Sequence, residues 1–229
     1  MTTYILWDID GTLILNNVKA GSLYVDSIRD VTGTAPTVRV KDPHGMTEGQ
    51  LLAEILGVNG LDVAALPAVL TRLDELSLAT YELGETRERA AGVLEALAEV
   101  TAHGWTNALL TGNGPRRARY KVAAAGIDPE LFDWDHSFFG HESPTRHALT
   151  ALVGASIGDA HAVIVGDTPK DGEAADSAGI PFIAVATGAF TAASLKETSA
   201  LVVVDDLEEG LDEVIAAITQ SIGTASARR

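Results

Sequence analysis

The sequence has 229 residues, of which 46% are hydrophobic and 21% charged, so it contains enough apolar material for one large or two modest domains. Asp and Glu number 32 against 16 Lys and Arg, and the net charge of −16 argues against nucleic acid and anionic membranes as partners. The sequence contains no cysteine, which excludes disulfides, zinc–thiolate sites and a cysteine nucleophile.

The first residues contain no pattern typical of a targeting signal. The apolar stretch near the start stops at Asp8 without a basic segment before it, and no run of about 18 apolar residues occurs anywhere. We therefore expect neither a signal peptide nor a membrane span, and by default a cytoplasmic protein. The sequence leaves both a monomer and a homodimer open.

Five short apolar runs are predicted to be strands, and helical patterns separate most of them. The predicted strands are 3–7, 106–110, 162–166, 181–186 and 201–204. The predicted helices lie near 86–102, 114–125, 145–153, 172–178 and 207–220. Apolar strands that alternate with helices are typical of a parallel sheet covered on both faces. We therefore predict an α/β fold with a Rossmann-like parallel sheet core.

Residues 15–84 interrupt this alternation with helical patterns alone. The segment TEGQLLAEIL begins with Thr47, and Gln50 three residues later matches a capping box. Residues 62–84 keep helical spacing, with Pro67 in the first turns or at a kink. We predict a small helical cap domain over 15–84, inserted after the first strand, and a core domain formed by 1–14 and 85–229. The alternative is a set of extra helices packed on the sheet.

Acidic side chains follow two of the predicted strands. Asp8 and Asp10 come after the first strand, and Asp167 and Asp171 come after the strand at 162–166. Because parallel strands end at one edge of the sheet, these acids are expected on the same rim. Two like charges about 4 Å apart cost about 4 kcal/mol at an effective dielectric of about 20, so the group needs a cation. Hard oxygen ligands without cysteine favour Mg²⁺.

Each of these acids also has a simpler explanation when it is considered alone. Asp8 could merely end a strand, Asp10 could form an Asx turn before Gly11, and Asp171 could cap a helix. Chance does not readily place all of them at the carboxyl ends of parallel strands, which favours a shared function.

Four segments, in order along the chain, resemble motifs of the haloacid dehalogenase-like hydrolase superfamily. They are DIDGTL (8–13), LLTGN (109–113), VIVGDTPKD (163–171) and AADSAGIPFIAVATG (174–188). The resemblance extends over roughly residues 4–205 and is closest to the phosphoglycolate-phosphatase-like branch, which has a helical cap after the first motif. It implies phosphoryl chemistry, because dehalogenases of this family lack an acid at the place of Asp10.

The resemblance also implies a role for each acid. Asp8 would be the nucleophile that forms an aspartyl-phosphate, and Asp10 would be the general acid and base. Asp167 would bind Mg²⁺ together with Asp8 and the backbone carbonyl of Asp10, and Asp171 would bind it directly or through water. Thr111 and the backbone N–H groups near residues 112 and 113 would bind the phosphoryl group. These last two positions are Gly112 and Asn113.

The family also needs a cation beside the phosphoryl group, and here the pattern departs from expectation. Ser143 and Pro144 stand where the branch has a Lys-Pro pair, so Arg146 is the expected substitute, with a surface arginine as the alternative. Lys121, in the basic run GPRRARYK, is the second candidate, with a solvated helix face as its alternative. Lys170 is expected to point to solvent.

The predicted cap contains one more recognisable stretch. HGMTEGQLL (44–52) resembles the Gly-x-Thr-Asp segment of some phosphatase caps, with Glu48 in place of Asp. His44, Met46 and Thr47 would contact substrate, or the segment would be a helix cap with a buried methionine.

These observations predict a Mg²⁺-dependent phosphomonoesterase that hydrolyses a small phosphorylated metabolite. A phosphomutase of the same family, similar to β-phosphoglucomutase, is the nearest alternative. A phospho-acceptor switch module that does not turn over, and a binding protein without catalysis, are further alternatives. The sequence does not identify the substrate.

Overall fold

The computed structural model describes residues 2–16 and 20–227. In this part of the chain six strands form one sheet in the order β3-β2-β1-β4-β5-β6. Every pairing in the sheet is parallel. The strands are β1 (Thr3–Trp7), β2 (Thr106–Thr111), β3 (Phe138–Phe139), β4 (His161–Gly166), β5 (Phe182–Val185) and β6 (Val203–Val204). The predicted α/β class with a Rossmann-like sheet is confirmed.

Nine α-helices surround or extend from this sheet within the described residues. They are α1 (Ala20–Thr32), α2 (Glu48–Val58), α3 (Leu66–Glu82), α4 (Val93–Ala102), α5 (Pro115–Ala124), α6 (Arg146–Ile157), α7 (Pro169–Ala178), α8 (Ala192–Leu195) and α9 (Leu211–Ala227). Short 3₁₀ helices span Val63–Ala65 and Pro129–Leu131. None of the described helices is long and apolar enough to cross a membrane.

The central strands bury side chains on both faces of the sheet. Ile5 and Trp7 of β1 belong to the core on the face covered by α4, α5 and α9. Tyr4 and Leu6 belong to the core on the face covered by α6, α7 and α8. Successive strand residues point to opposite faces, so a strand buried on both sides has no polar alternation. This explains why the strand sequences are continuous apolar runs.

Helices α1, α2 and α3 have an apolar cluster of their own. These three helices and the loops that connect them are called the insert below. The fully buried members of this cluster are Ile28, Leu52, Leu56, Val69 and Leu73. A separate cluster is what a cap domain requires, because a domain needs its own core. The domain boundaries stay a prediction, and residues 17–19 of the predicted cap lie outside the described residues.

Several element boundaries differ from the predicted ones. The helix expected from residue 86 begins at Val93, after Gly92 in a left-handed conformation with φ 74°. A Cβ on Gly92 would lie 2.2 Å from the Leu207 carbonyl carbon, so close backbone contact places a turn there. The helix expected at 172 begins at Pro169, because Thr168 and Asp171 form a capping box before it. Helix α1 and the two-residue strand β3 were not predicted individually.

Candidate active site

The carboxyl ends of β1, β2 and β4 form one rim, which lies beneath the insert. Asp8 follows β1, Thr111 ends β2 and Asp167 follows β4. These three residues line a cavity of about 400 Å³ that is covered by side chains of the insert, among them Tyr24 and Leu51. The rim predicted from the positions of the strands therefore forms the floor of a cleft that the insert partly covers.

Three buried acids meet on this rim. Asp8, Asp167 and Asp171 each offer a carboxylate oxygen, and these oxygens lie within 4.8 Å of one another. Arg146, at the start of α6, places Nη2 3.3 Å from Asp8 Oδ1 and 2.7 Å from Asp171 Oδ1. The same nitrogen donates to the Leu110 carbonyl at 2.9 Å. One guanidinium thus faces three carboxylates.

The protonation of these acids reflects that imbalance. Burial raises the pKa of Asp8 to about 7, with Arg146 opposing the shift and Asp171 and Asp10 adding to it. Burial and the charge of Asp8 raise the pKa of Asp167 well above its ordinary value. The ionised cluster is therefore short of positive charge. Its donors are hard carboxylate oxygens, so they suit Mg²⁺.

Two glycines leave the space that the Asp167 carboxylate occupies. A Cβ on Gly11, which has φ 89°, would lie 2.2 Å from Asp167 Oδ2, and one on Gly188 would lie 1.6 Å from the same atom. Thr12 Oγ1 donates to Asp167 Oδ1 at 3.4 Å. Gly11 thus allows both the turn after β1 and the close approach of a carboxylate from β4.

Asp171 serves two purposes at once. Its Oδ2 accepts from the Thr168 backbone N–H at 3.1 Å and from Thr168 Oγ1 at 2.7 Å, while its Oδ1 faces Arg146. The N-cap of α7 is Thr168, and Asp171 lies three residues further on. The simple explanation of Asp171 as an N-cap is therefore wrong, although the residue does belong to the capping box.

The Asp10 side chain lies in a second polar group, apart from the three-acid cluster. Lys121 Nζ lies 2.5 Å from Asp10 Oδ2 and 2.5 Å from Asn113 Oδ1. Asn113 Nδ2 donates to Asp10 Oδ2 at 2.8 Å and to Thr111 Oγ1 at 2.7 Å. Burial tends to raise the pKa of Asp10, but Lys121 more than offsets burial and lowers it. Asp10 is accordingly ionised in this arrangement.

Both candidate cations reach the site, so the alternatives that left them at the surface are wrong. Arg146 and Lys121 are buried, and each contacts one of the first two acids. Burial also lowers the pKa of Lys121, with Asp10 opposing that shift. The ranking of Arg146 above Lys121 stays a prediction.

Helix α5 carries a residue that the sequence analysis missed. Arg117 is buried and contacts Glu48, while Arg116 and Arg119 of the same helix are exposed. The signal available in the sequence was the spacing, because Arg117 and Lys121 lie four residues apart on the face that also carries Ala118 and Val122.

The segment 44–52 is a helix start held against the core. Thr47 caps α2 by accepting from the Gln50 N–H and donates its own hydroxyl to the Ser143 carbonyl at 2.6 Å. Lys170 Nζ donates to the His44 carbonyl at 2.7 Å and to the Asp42 carbonyl at 3.1 Å. The expectation that Lys170 only points to solvent is therefore wrong, because it ties the insert to α7.

Comparison with known families gives one match. The family model described as HAD-hydrolase-like matches residues 142–210, a stretch that includes Arg146, Asp167 and Asp171. No curated protein matches the sequence.

Solved structures match over most of the chain. A hydrolase from Pseudomonas syringae is 17% identical, with a TM-score of 0.69 over 94% of this chain and 99% of that one. CbbY from Rhodobacter sphaeroides, solved in complex with phosphate, is 20% identical, with a TM-score of 0.68 over 92% and 96%. A candidate beta-phosphoglucomutase from Thermotoga maritima is 21% identical, with a TM-score of 0.57 over 94% and 99%.

The family match and the shared fold together confirm the predicted resemblance to haloacid dehalogenase-like hydrolases. The family match over residues 142–210 also supports the prediction of an enzyme of the hydrolase class.

Proposed function

We propose that this protein is a Mg²⁺-dependent phosphomonoesterase that hydrolyses a small phosphorylated metabolite through an aspartyl-phosphate on Asp8. The observation that carries the proposal is that Asp8, Asp167 and Asp171 meet Arg146 in one buried cluster, and that Asp8, Asp167 and Arg146 of this cluster line a cavity. Its volume of about 400 Å³ suits a small substrate.

The first half of the reaction transfers the phosphoryl group to the protein. A carboxylate oxygen of Asp8 forms a bond to phosphorus while the bond from phosphorus to the leaving oxygen breaks. Arg146, 3.3 Å from Asp8 Oδ1, orients that carboxylate and offsets the negative charge of the incoming phosphoryl group. Thr111 and the backbone N–H groups of Gly112 and Asn113 bind the phosphoryl oxygens.

Asp10 transfers protons in both halves of the reaction. Lys121 holds Asp10 ionised in this structure, so Asp10 needs a proton before it can act as an acid. An anionic phosphoryl group in the cavity competes for Lys121, which weakens the stabilisation of the Asp10 carboxylate and raises its pKa. Asp10 then takes up a proton from solvent as the substrate binds and gives it to the leaving oxygen. In the second half it takes a proton from water while the water oxygen forms a bond to phosphorus and the bond from phosphorus to Asp8 breaks, which restores the Asp8 carboxylate and releases inorganic phosphate.

Mg²⁺ would be held by Asp8, Asp167 and the Asp10 carbonyl, with Asp171 binding directly or through water. When bound, it supplies the positive charge that lets two anions approach each other. The raised pKa values of Asp8 and Asp167 support this assignment, because both carboxylates lie in a buried cluster that is short of positive charge.

We further propose that residues 15–84 act as a cap that contacts the leaving group. Tyr24, His44, Met46 and Leu51 line the cavity on that side. A closed cap excludes bulk water from the transfer step.

The nucleophile is tested by Asp8→Asn. The variant should release no measurable phosphate from p-nitrophenyl phosphate with Mg²⁺, because an amide oxygen cannot form the intermediate, while its circular dichroism spectrum stays that of the parent. Turnover at the parent rate would refute the assignment.

The substrate is sought with a panel of phosphorylated metabolites, with and without EDTA. Steady phosphate release without a phosphosugar primer would exclude the phosphomutase alternative. A phosphoprotein that keeps its phosphate and never turns over would instead favour the switch module.

A further inference from the structure

Arg117 of α5 is a buried cation that the proposed mechanism does not use. Its Nε lies 2.6 Å from Glu48 Oε1 at the start of α2. Its Nη1 donates to Ser77 Oγ of α3 at 3.0 Å, and its Nη2 to the Tyr24 hydroxyl of α1 at 3.4 Å. One guanidinium on the core therefore contacts all three helices of the insert.

Glu48 also connects its ion pair with Arg117 to the loop 111–114. Its Oε2 accepts from the Gly114 backbone N–H at 2.7 Å, and its own backbone N–H donates to the Gly112 carbonyl at 2.8 Å. The next residue, Gly49, donates to the Gly140 carbonyl at 3.3 Å. Gly112 and Gly114 of this loop are thus both hydrogen-bonded to the first residue of α2.

The fit between the two parts leaves no room for side chains. A Cβ on Gly112 would lie 2.6 Å from the Met46 carbonyl oxygen, and one on Gly140 would lie 2.8 Å from the Thr47 Cβ. The insert is therefore in direct backbone contact with the loop. A movement of the insert away from the core must break these hydrogen bonds.

We propose that the Glu48–Arg117 pair is a latch that holds the insert closed over the cavity and thereby positions the loop 111–114. The effect on turnover rests on the proposed function, whereas the effect on closure does not. Both are positioning residues, since Glu48 acts through the loop and Arg117 through Glu48. Arg117 is also one helical turn before Lys121, so α5 links the latch to the group beside Asp10.

The free energy of this buried ion pair is compatible with reversible opening of the insert. A guanidinium and a carboxylate removed from water are stable together, and each is costly without the other. Burial lowers the pKa of Arg117, but Glu48, the Tyr24 hydroxyl and Asp10 more than offset it. When the insert opens, both charges are hydrated again. The closed state is therefore favoured only if the contact between Glu48 and Arg117 offsets the cost of removing both charges from water.

The test measures amide hydrogen exchange, which needs no turnover. Glu48→Gln and Arg117→Met should each speed exchange about tenfold or more at the amides of residues 48, 49 and 114, whose hydrogen bonds join insert and core. The double variant should be no faster than either single one, because both remove the same interaction. Arg119→Met is the control, because Arg119 is exposed and its polar and cation–π contacts among the described residues are with Glu130 and Trp134 of the core. It should leave exchange unchanged.

Two outcomes would overturn the latch. One is unchanged exchange at all three amides in both single variants. The other is an equal rise across β1 and β4, which would mean that the pair only stabilises the whole fold. Arg117→Lys is a milder variant for the case in which Arg117→Met does not fold. It keeps the positive charge but cannot contact Glu48, Ser77 and Tyr24 at the same time. It should give exchange between the parent and Arg117→Met.

Kinetics of phosphate release provide the second readout. Glu48→Gln and Arg117→Met should lower kcat/KM about tenfold, and Arg117→Lys should restore part of it. If the parent protein releases no phosphate from any monoester, the proposed function fails while the exchange measurement still decides the latch.

Discussion

Asp8 lies in an environment that should make stability depend on pH in a defined direction. Burial raises its pKa from 3.8 to about 7 in the metal-free protein. The unfolded chain releases this proton near pH 4 and the folded chain near pH 7. The contribution of Asp8 protonation to the free energy of unfolding is therefore fully present below pH 4 and is lost as the pH rises through about 7.

This sign gives a prediction for Asp8→Asn in EDTA. The variant cannot ionise, so its melting temperature should exceed that of the parent by about 5 °C at pH 8, and the gap should shrink at pH 5. Thermal denaturation followed by circular dichroism measures both. Asp176→Asn, at an exposed position of α7, is the matched control. A gap that does not change with pH would contradict the raised pKa of Asp8.

Arg146 and Lys121, the two cations that contact Asp8 and Asp10, should not contribute equally to turnover. Arg146 contacts Asp8 and Asp171, so Arg146→Ala leaves the proposed nucleophile in an uncompensated acid cluster. Lys121 contacts Asp10 and Asn113. We expect Arg146→Ala to lower kcat by at least about a hundredfold, and Lys121→Ala by less. Steady-state kinetics on p-nitrophenyl phosphate compare them, and a larger loss at Lys121 would reverse the ranking.

At the scale of elements, the loop after β5 closes the acid cluster. Gly188 lies so close to Asp167 that a Cβ would overlap its Oδ2 at 1.6 Å. Gly188→Ala must therefore displace either the loop or the carboxylate. Gly154 of α6 is a matched control, since no atom of the described residues outside its own stretch of helix lies within 4 Å of a Cβ placed there.

We expect Gly188→Ala to weaken both phosphate release and the rise in melting temperature that Mg²⁺ gives the parent protein. Gly154→Ala should keep the phosphate release and the Mg²⁺ response of the parent. Its free energy of unfolding should rise by up to about 1 kcal/mol, because alanine favours a helix more than glycine does. Differential scanning fluorimetry with a Mg²⁺ titration measures the effect. An unchanged Mg²⁺ response in Gly188→Ala would contradict the expectation that the added Cβ displaces the Asp167 carboxylate from the ion site.

Helix α5 shows how one element serves two parts of the molecule. Arg117 points to the insert and Lys121 to the core acid Asp10, while Arg116 and Arg119 of the same helix are exposed. Residues four apart share a helix face, which explains why only two of the four cations are buried. Arg117 lies in the first turn of α5, where a cation opposes the helix dipole and Glu48 compensates for this cost, whereas Lys121 lies in the last turn, where the dipole favours a cation.

The whole molecule carries a charge of −16 and, on our proposal, acts on an anionic substrate. The field of the molecule repels that substrate, and only buried local cations attract it. Added salt shortens the screening length from about 30 Å at 0.01 M to about 8 Å at 0.15 M. We therefore expect kcat/KM to rise about twofold over this range, measured with NaCl at constant Mg²⁺. A steep fall would contradict the expected repulsion.

Much of the core could be predicted from local patterns. The strands at 3–7, 106–110 and 162–166 are apolar on both faces, which requires a covered parallel sheet, and their carboxyl ends place Asp8, Thr111 and Asp167 together. β3 has only two residues, too few for a pattern, and the start of α4 depends on contact between Gly92 and the backbone of Leu207.

The sequence by itself determined the parallel sheet, its polar rim and the need of that rim for positive charge, because the apolar periodicity of each strand and the alternation of strands with helices can be read along the chain. Only the tertiary structure decided which cation meets which acid. The Arg146–Asp8, Lys121–Asp10 and Arg117–Glu48 pairs each join residues far apart in the chain, and the rotation of α5 and α6 selects the side chains that enter the interior. Such pairings depend on packing between elements, on which the pattern within any one element carries no information.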